Sequence, residues 1–232
     1  MDAKYRKLIA DEFRNCVNGT IERVTHNEQT YRPFHTALLS EDVIFWSAFE
    51  RSFSTSFGQR VIEELARLVA LSNGAEDACR QKETYIQIDV AYEDAIHMHM
   101  QQLRAKNRLM TYAWNIALSQ IKSARPTGST TSIRVISDRK STRLNSSHQV
   151  ISIAQPNCNA YFGLPYNPFG ERKQDYAFNP PMGIFDFHND PVVLIGKEMW
   201  DTIGGEGCYE ELLDIAREVG KETKDTIQRL RH

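Results

Sequence analysis

TSIRVISDRKSTRLNSSHQVISIAQPN, residues Thr131 to Asn157, decides how the rest of the chain is read. Ile133 and Val135, flanked by Ser132, Arg134 and Ser137, alternate as a half-buried strand does, and β-branched side chains suit a pleated surface. The run stops at Asp138, and an acidic residue closing a central strand is a common position for metal-dependent chemistry. Arg139 to His148 then has neither a period of two nor a helical one and no glycine or proline, so the spacing predicts a loop with nothing to pack. A second apolar run leaves the stretch at its far end.

Asp138 to His148, DRKSTRLNSSH, followed by Gln149-Val150 and Ile151-Ser152, resembles the translation of a sequencing-library adapter: constant part, short index, constant part. On that resemblance the residues from about Asp138 to Ser152 were never selected, and they stay out of the functional reading as a cloning scar would. Asp138 belongs to both readings, because the strand end and the adapter each supply an aspartate there.

With 232 residues, 41% hydrophobic and 25% charged, the chain suits one sizeable domain or two small ones with a real core. No apolar run nears the ~18 residues of a membrane span. The amino-terminal MDAKYRKLIADEF alternates charged with apolar positions, which predicts a soluble, cytoplasmic protein. Cys16, Cys79, Cys158 and Cys208 are dispersed and form no CxxC or Cys/His cluster, which argues against a disulfide framework or a zinc site. The net charge of −2 carries no global signal for nucleic acid. Its distribution is uneven: from Ala95 to Ser137 there is no Asp or Glu, while Arg104, Lys106, Arg108, Lys122, Arg125 and Arg134 are present. Phosphate contacts need only such a local basic face, although a plain solvated helix face reads from the same residues.

Along the chain, Asp2 to about Val17 carries Tyr5, Leu8, Ile9, Phe13 and Cys16 at helical spacing, with Asn18-Gly19 as its stop. Glu28 to Ser40 breaks the pattern around Pro33, and Val43, Ile44, Phe45, Trp46 and Phe49 then predict core. Phe57 to Leu71 is the clearest amphipathic helix. At about 100° per residue, Phe57, Val61, Leu65 and Leu68 share a face, Glu64 sits at its rim and Glu63 points away. A carboxylate at the edge of a buried face is costly unless it is paired or binds a metal, so Glu64 is the candidate functional residue and Glu63 the solvated one. A rim glutamate bonding a lysine or arginine fits the same position.

Val90 to about Ala124 reads as one long helix or two, and His97 and His99, two apart, cannot face one metal from a helix. Cys158 to Leu164 and Val192 to Ile195 read as strands. Between them, Pro165 to Gly183 is a long shaped loop with Arg172 and Lys173 at its centre, of the kind that carries recognition. Lys197 to Ile203 and Tyr209 to Arg231 read as helices. The class is α/β (α+β): a helical part over residues 1–125 that includes the glutamate helix, and a remainder over 131–232, interrupted at 138–152, with a mixed central sheet flanked by helices.

A glutamate helix ahead of a strand ending in Asp resembles the PD-(D/E)xK nuclease core. The stretches FGQRVIEELARLVA, TSIRVISD, NAYFGLPYNPFG and VVLIGKEMWDTIGGEGCYEELL look like type II restriction endonucleases of the TdeIII/MjaII family, over about Tyr31 to Ser137 and Asn157 to Leu230. The resemblance implies a Mg²⁺-dependent homodimer that cuts double-stranded DNA at a GGNCC-like palindrome, beside a cognate DNA methyltransferase. On that pattern Glu64 and Asp138 are the catalytic acids and metal ligands. Arg104, Lys106, Arg108, Lys122, Arg125, Arg172 and Lys173 are the expected DNA contacts. The family's next strand should carry an acidic or polar position and then x-Lys, and Arg139 to Ser152 stands in its place. Lys140, on no predicted strand, does not substitute, so no catalytic lysine is identified and the chain as written is expected to be impaired or inactive. A second reading, a non-catalytic helical DNA- or protein-binding domain, needs only the basic window and the helices.

Overall fold

The computed structural model describes residues 1–26, 33–81, 83–104, 114–136, 160–177 and 186–230. They divide into two compact units: Met1–Ala78 with Trp200–His232, and Cys79–Met199.

The first unit is helical: α1 (Ala3–His26), α2 (Pro33–Leu38), α3 (Glu41–Ser56), α4 (Ile62–Ser72), most of α7 (Lys197–Gly204) and α8 (Cys208–Arg229). Its core is an apolar stripe from each of several helices: Ile9, Phe13 and Cys16 of α1, Leu65, Leu68 and Val69 of α4, and Leu212, Ile215 and Val219 of α8, all buried. Helix α8 keeps its charged face in solvent, and part of that face pairs with α1 through Arg6–Glu218 and Arg14–Glu222, each at 2.7 Å. These exposed pairs add little to stability.

Two expectations fail here. The first helix does not stop at Asn18-Gly19 but runs on to His26. Thr20 is fully buried on the packed side, its hydroxyl donating to the Cys16 carbonyl at 2.8 Å, and tertiary burial outweighs a glycine's weak tendency to end a helix. The aromatic run of α3 is also not core, since no residue of that helix is fully buried and Val43 is exposed. Its rings pack on one another along the helix instead, Trp46 edge-on to Phe45 and Phe49 and Phe53 stacked on Phe57, so each is half-covered by a neighbouring turn.

The second unit carries β1 (Glu83–Asp89), α5 (Val90–Arg104), α6 (Trp114–Lys122), β2 (Thr130–Ile136), β3 (Phe162–Leu164) and β4 (Val193–Ile195). The Val90–Ala124 reading thus resolves into two helices among the described residues. Strand β2 forms where Ile133 and Val135 predict it, and it pairs antiparallel with β1, placing Ile86 opposite Ile133. The sequence reading marks no element over residues 83–89. They alternate all the same, Tyr85 being 66% exposed while Ile86 and Ile88 are buried. Strands β3 and β4 pair in parallel. Among the described residues there is therefore no single mixed sheet but two two-stranded ones. They share one core through side chains: Ile86, Ile88, Ile96, Met100, Ile121, Phe187, Val193 and Ile195 form a continuous buried cluster, with Ile133, Phe162 and Leu164 packed on it. Such pairs are marginal alone, and this common core is what makes them stable.

Candidate active site

The helix that carries Glu64 is not regular. Between α3 and α4 the chain makes a π turn over Phe57–Val61, widening the coil ahead of Glu64. Turns of this kind recur at functional sites because they re-aim the residues that follow. The apolar face still forms as expected: Val61, Leu65 and Leu68 are buried, joined by Ile62 and Val69. Glu63 is half-buried as well, so the contrast between the two glutamates is weaker than an ideal wheel suggests.

Glu64 stands in the first turn of α4 with its side chain 15% exposed. Its carboxylate is gripped by Arg67 one turn on: Nε donates to Oε1 at 3.0 Å and to Oε2 at 3.1 Å, and Nη2 donates to Oε1 as well. A forked guanidinium across both carboxylate oxygens fixes the plane of the acid as well as its charge. The sequence reading allowed for a rim glutamate bonding a lysine or arginine without naming the partner, and Arg67, at i, i+3, is that partner.

Asp138, the second expected acid, lies outside the described residues, as do Lys106, Arg108 and Lys140. The acid the structure does show at a strand end is Asp89, which closes β1. Its carboxylate accepts from the amides of Ala91 (2.9 Å), Thr127 (3.0 Å) and Gly128 (2.8 Å) and from the Thr127 hydroxyl (3.1 Å). The Thr127 amide is the largest cause holding this carboxyl below the usual carboxylate range. With its oxygens so committed, Asp89 clamps the 126–129 linker to the start of α5.

The expected DNA contacts differ in how they are placed. Lys122 and Arg125, at and just beyond the end of α6, are exposed and unpaired among the described residues. Arg104 ends α5. Arg172 is exposed but forked onto Asp175, with Nη2 to Oδ1 at 2.8 Å. Lys173 is 9% exposed, and its ammonium donates to the carbonyls of Asp190 (2.9 Å) and Val193, with Glu198 at 3.6 Å. It pins the start of β4 from inside the fold.

His97 is exposed and His99 buried, so they diverge as their spacing requires. Burial pushes the His99 imidazole below its usual range. Among the described residues no three His, Cys, Asp or Glu side chains come together as a metal shell. Of the two expected metal ligands Glu64 is the one described; it offers the hard oxygens that Mg²⁺ takes, and Arg67 already bonds both of them. No described helix is long and apolar enough to cross a membrane.

Comparison with known proteins adds what the geometry alone leaves open. The family model described as "Type II restriction endonuclease, HinfI" matches residues 1–138 and 137–220, nearly the whole chain. The chain belongs to the HinfI family of type II restriction endonucleases. Three curated relatives agree, all from Herpetosiphon aurantiacus. The type II restriction enzyme HgiCII is 27% identical over 82% of this chain and 77% of its own length. HgiEI is 29% identical over 93% and 86%, and HgiBI 29% identical over 82% and 77%. No solved structure matches. The HinfI-family match names a different type from the TdeIII/MjaII resemblance, and the two agree on the class, a type II restriction endonuclease. Its first segment carries Glu64 and ends at Asp138, and its second carries β3, β4 and α7.

Proposed function

We propose that this HinfI-family chain derives from a Mg²⁺-dependent endonuclease that cuts double-stranded DNA at a GGNCC-like palindrome, and that the chain as written cuts poorly or not at all. The observation that carries the first half is the family match across nearly the whole chain, with Glu64 half-buried and oriented on its helix ahead of the β1–β2 pair. The second half rests on where the match divides. Its two segments meet at Ser137 and Asp138, the same point at which adapter-like sequence replaces the expected x-Lys strand.

In this reading Glu64 and Asp138 hold the metal. A bound Mg²⁺ supplies charge neutralisation at the phosphate and a more acidic water. Arg67 keeps both Glu64 oxygens in one plane. Lys122 and Arg125 take backbone phosphates, Arg104, Lys106 and Arg108 extend that basic face, and exposed Arg172 faces the bases, while Lys173, bonded inside the fold, supports that loop and touches no DNA. A homodimer would match the two-fold symmetry of the palindrome, and a methyltransferase of the same specificity would protect host DNA in the cytoplasm.

The test is cleavage of a duplex carrying GGNCC with Mg²⁺. The chain as written should leave it uncut, while a gene repaired across Ser137–Asn157 should cut it. In the repaired enzyme Glu64→Ala should abolish cleavage yet still retard DNA on a gel. Full-rate cutting by the unrepaired chain would overturn the inactivity, and cutting by the repaired Glu64→Ala enzyme would overturn the role given to Glu64.

A further inference from the structure

We infer that the first unit carries a phosphate-binding site on the edge between α1 and the α3–α4 helix, built from Arg23, Arg60 and the hydroxyls of Ser52 and Ser56. Its occupant is a backbone phosphate of DNA, an assignment that rests on the endonuclease reading above.

The site follows from two matched stripes. On the α3 side Ser52, Ser56 and Arg60 recur every four residues, and the π turn lets that stripe continue past Phe57. On α1, Thr20 and Arg23 stand nearly one turn apart. Arg23 joins the stripes: Nε donates to Ser52 Oγ at 3.1 Å, and Nη2 donates to Ser56 Oγ at 2.6 Å and to Thr20 Oγ1 at 3.1 Å. Gly19 leaves room beside the Arg23 head, since a Cβ there would stand 3.3 Å from Nη1.

The charge balance points to an anion. The other α1 arginines, Arg6 and Arg14, have carboxylate partners, whereas among the described residues Arg23 binds only hydroxyls. A guanidinium has five N–H donors, and both on Nη1 remain open among the described residues. Arg60, one turn from Ser56, is exposed and has no hydrogen bond or ion pair among the described residues. Burial raises the Cys16 thiol, and the charges of Arg23 and Arg60 both act against that rise while Glu12 adds to it. Two such cations with adjacent hydroxyls, which can turn to donate, suit a phosphate, and neither contact would read base identity.

The experiment measures affinity for a GGNCC duplex and an unrelated duplex from 50 to 200 mM salt by fluorescence anisotropy. Beside wild type it uses Arg60→Gln, Arg23→Gln and, as a control, Arg217→Gln on α8. Arg60→Gln breaks no hydrogen bond, so it tests the site even if Arg23→Gln unsettles the fold. Each neutralised phosphate accounts for about 3-fold of the affinity lost across that salt range. Arg60→Gln should weaken both duplexes alike and lower the log–log salt slope by about 1, with Arg217→Gln unchanged. An unchanged slope in Arg60→Gln, or an equal change in Arg217→Gln, overturns the site. A thermal-shift arm with inorganic pyrophosphate separates the site from the DNA reading. If wild type binds no DNA, pyrophosphate stabilisation that is lost in Arg60→Gln keeps the site and removes its DNA occupant, and no stabilisation removes both.

Discussion

Replacing Lys173 by methionine separates two roles for that side chain. The ammonium sits inside the second unit and donates to the carbonyls of Asp190 and Val193. Methionine keeps the apolar stem and removes both donors. The Asp190 carbonyl retains the Val193 amide at 3.2 Å, so it keeps a partner, while the Val193 carbonyl loses its charged one. A hydrogen bond from a charged donor contributes about 1.5–3 kcal/mol, and with one carbonyl still partly satisfied the loss should be about 3 kcal/mol. For a protein of this size that lowers the Tm by about 6–12 °C. Circular dichroism on heating reads the shift, and a filter-binding titration of the same sample reads DNA affinity at a temperature where both proteins are folded. The expected result is a lower Tm with DNA affinity within about 2-fold of wild type, a neutralised phosphate being needed for more than that. An unchanged Tm with a marked loss of affinity would refute the reasoning and return Lys173 to the DNA contacts.

Two further outcomes follow from the packing and the charges. Asp89 has its carboxyl lowered in the folded protein, so its contribution is complete above the unfolded value near 4 and is lost as pH falls through the depressed folded value. Asp175 and Asp186 are lowered too and act in the same direction, so the protein should lose stability steeply on acidification below about pH 4. In urea titrations Asp89→Asn should be weaker at pH 7 and lose less on going to pH 3, whereas parallel curves would show that the clamp is not ionic. Gly204→Ala drives a methyl into Val69 and Cys208, and overpacking of this kind costs about 1–3 kcal/mol. A lowered Tm with unchanged far-UV dichroism is expected, and no change would mean that α7 and α8 shift apart freely.

What the sequence made legible follows the strength of local periodicity. The glutamate helix, β2, the buried VLI strand and the two last helices were readable because their apolar positions repeat over enough residues, or sit between glycines. Strand β1 was not, since its burial rests on Ile86 and Ile88 alone and its polar neighbours resemble a loop. The π turn was invisible because a changed hydrogen-bond register leaves the composition of the face intact. At the candidate site, Glu64 stood out as an acid on an apolar rim, and the partner that holds it, Arg67, was marked by spacing. Lys173 could not be told from a surface lysine, because sequence does not say whether an ammonium ends on water or on two carbonyls. The reading of Asp138 concerns residues outside those described.

The first unit is assembled from both ends of the chain, with the second inserted between them. During synthesis, α1 and α4 must therefore wait for α8 to emerge before their shared core can close. At 5–20 residues per second that delay, counted from the end of α4 to the end of α8, is roughly 8–31 s. The inserted unit can form its own core in that interval. Any fault within the insert would thus be translated before the host is complete, and an insert that failed to collapse would leave α1 and α4 exposed to chaperones and proteases for longer. Yield in the cell would then suffer before any loss of chemistry could be measured.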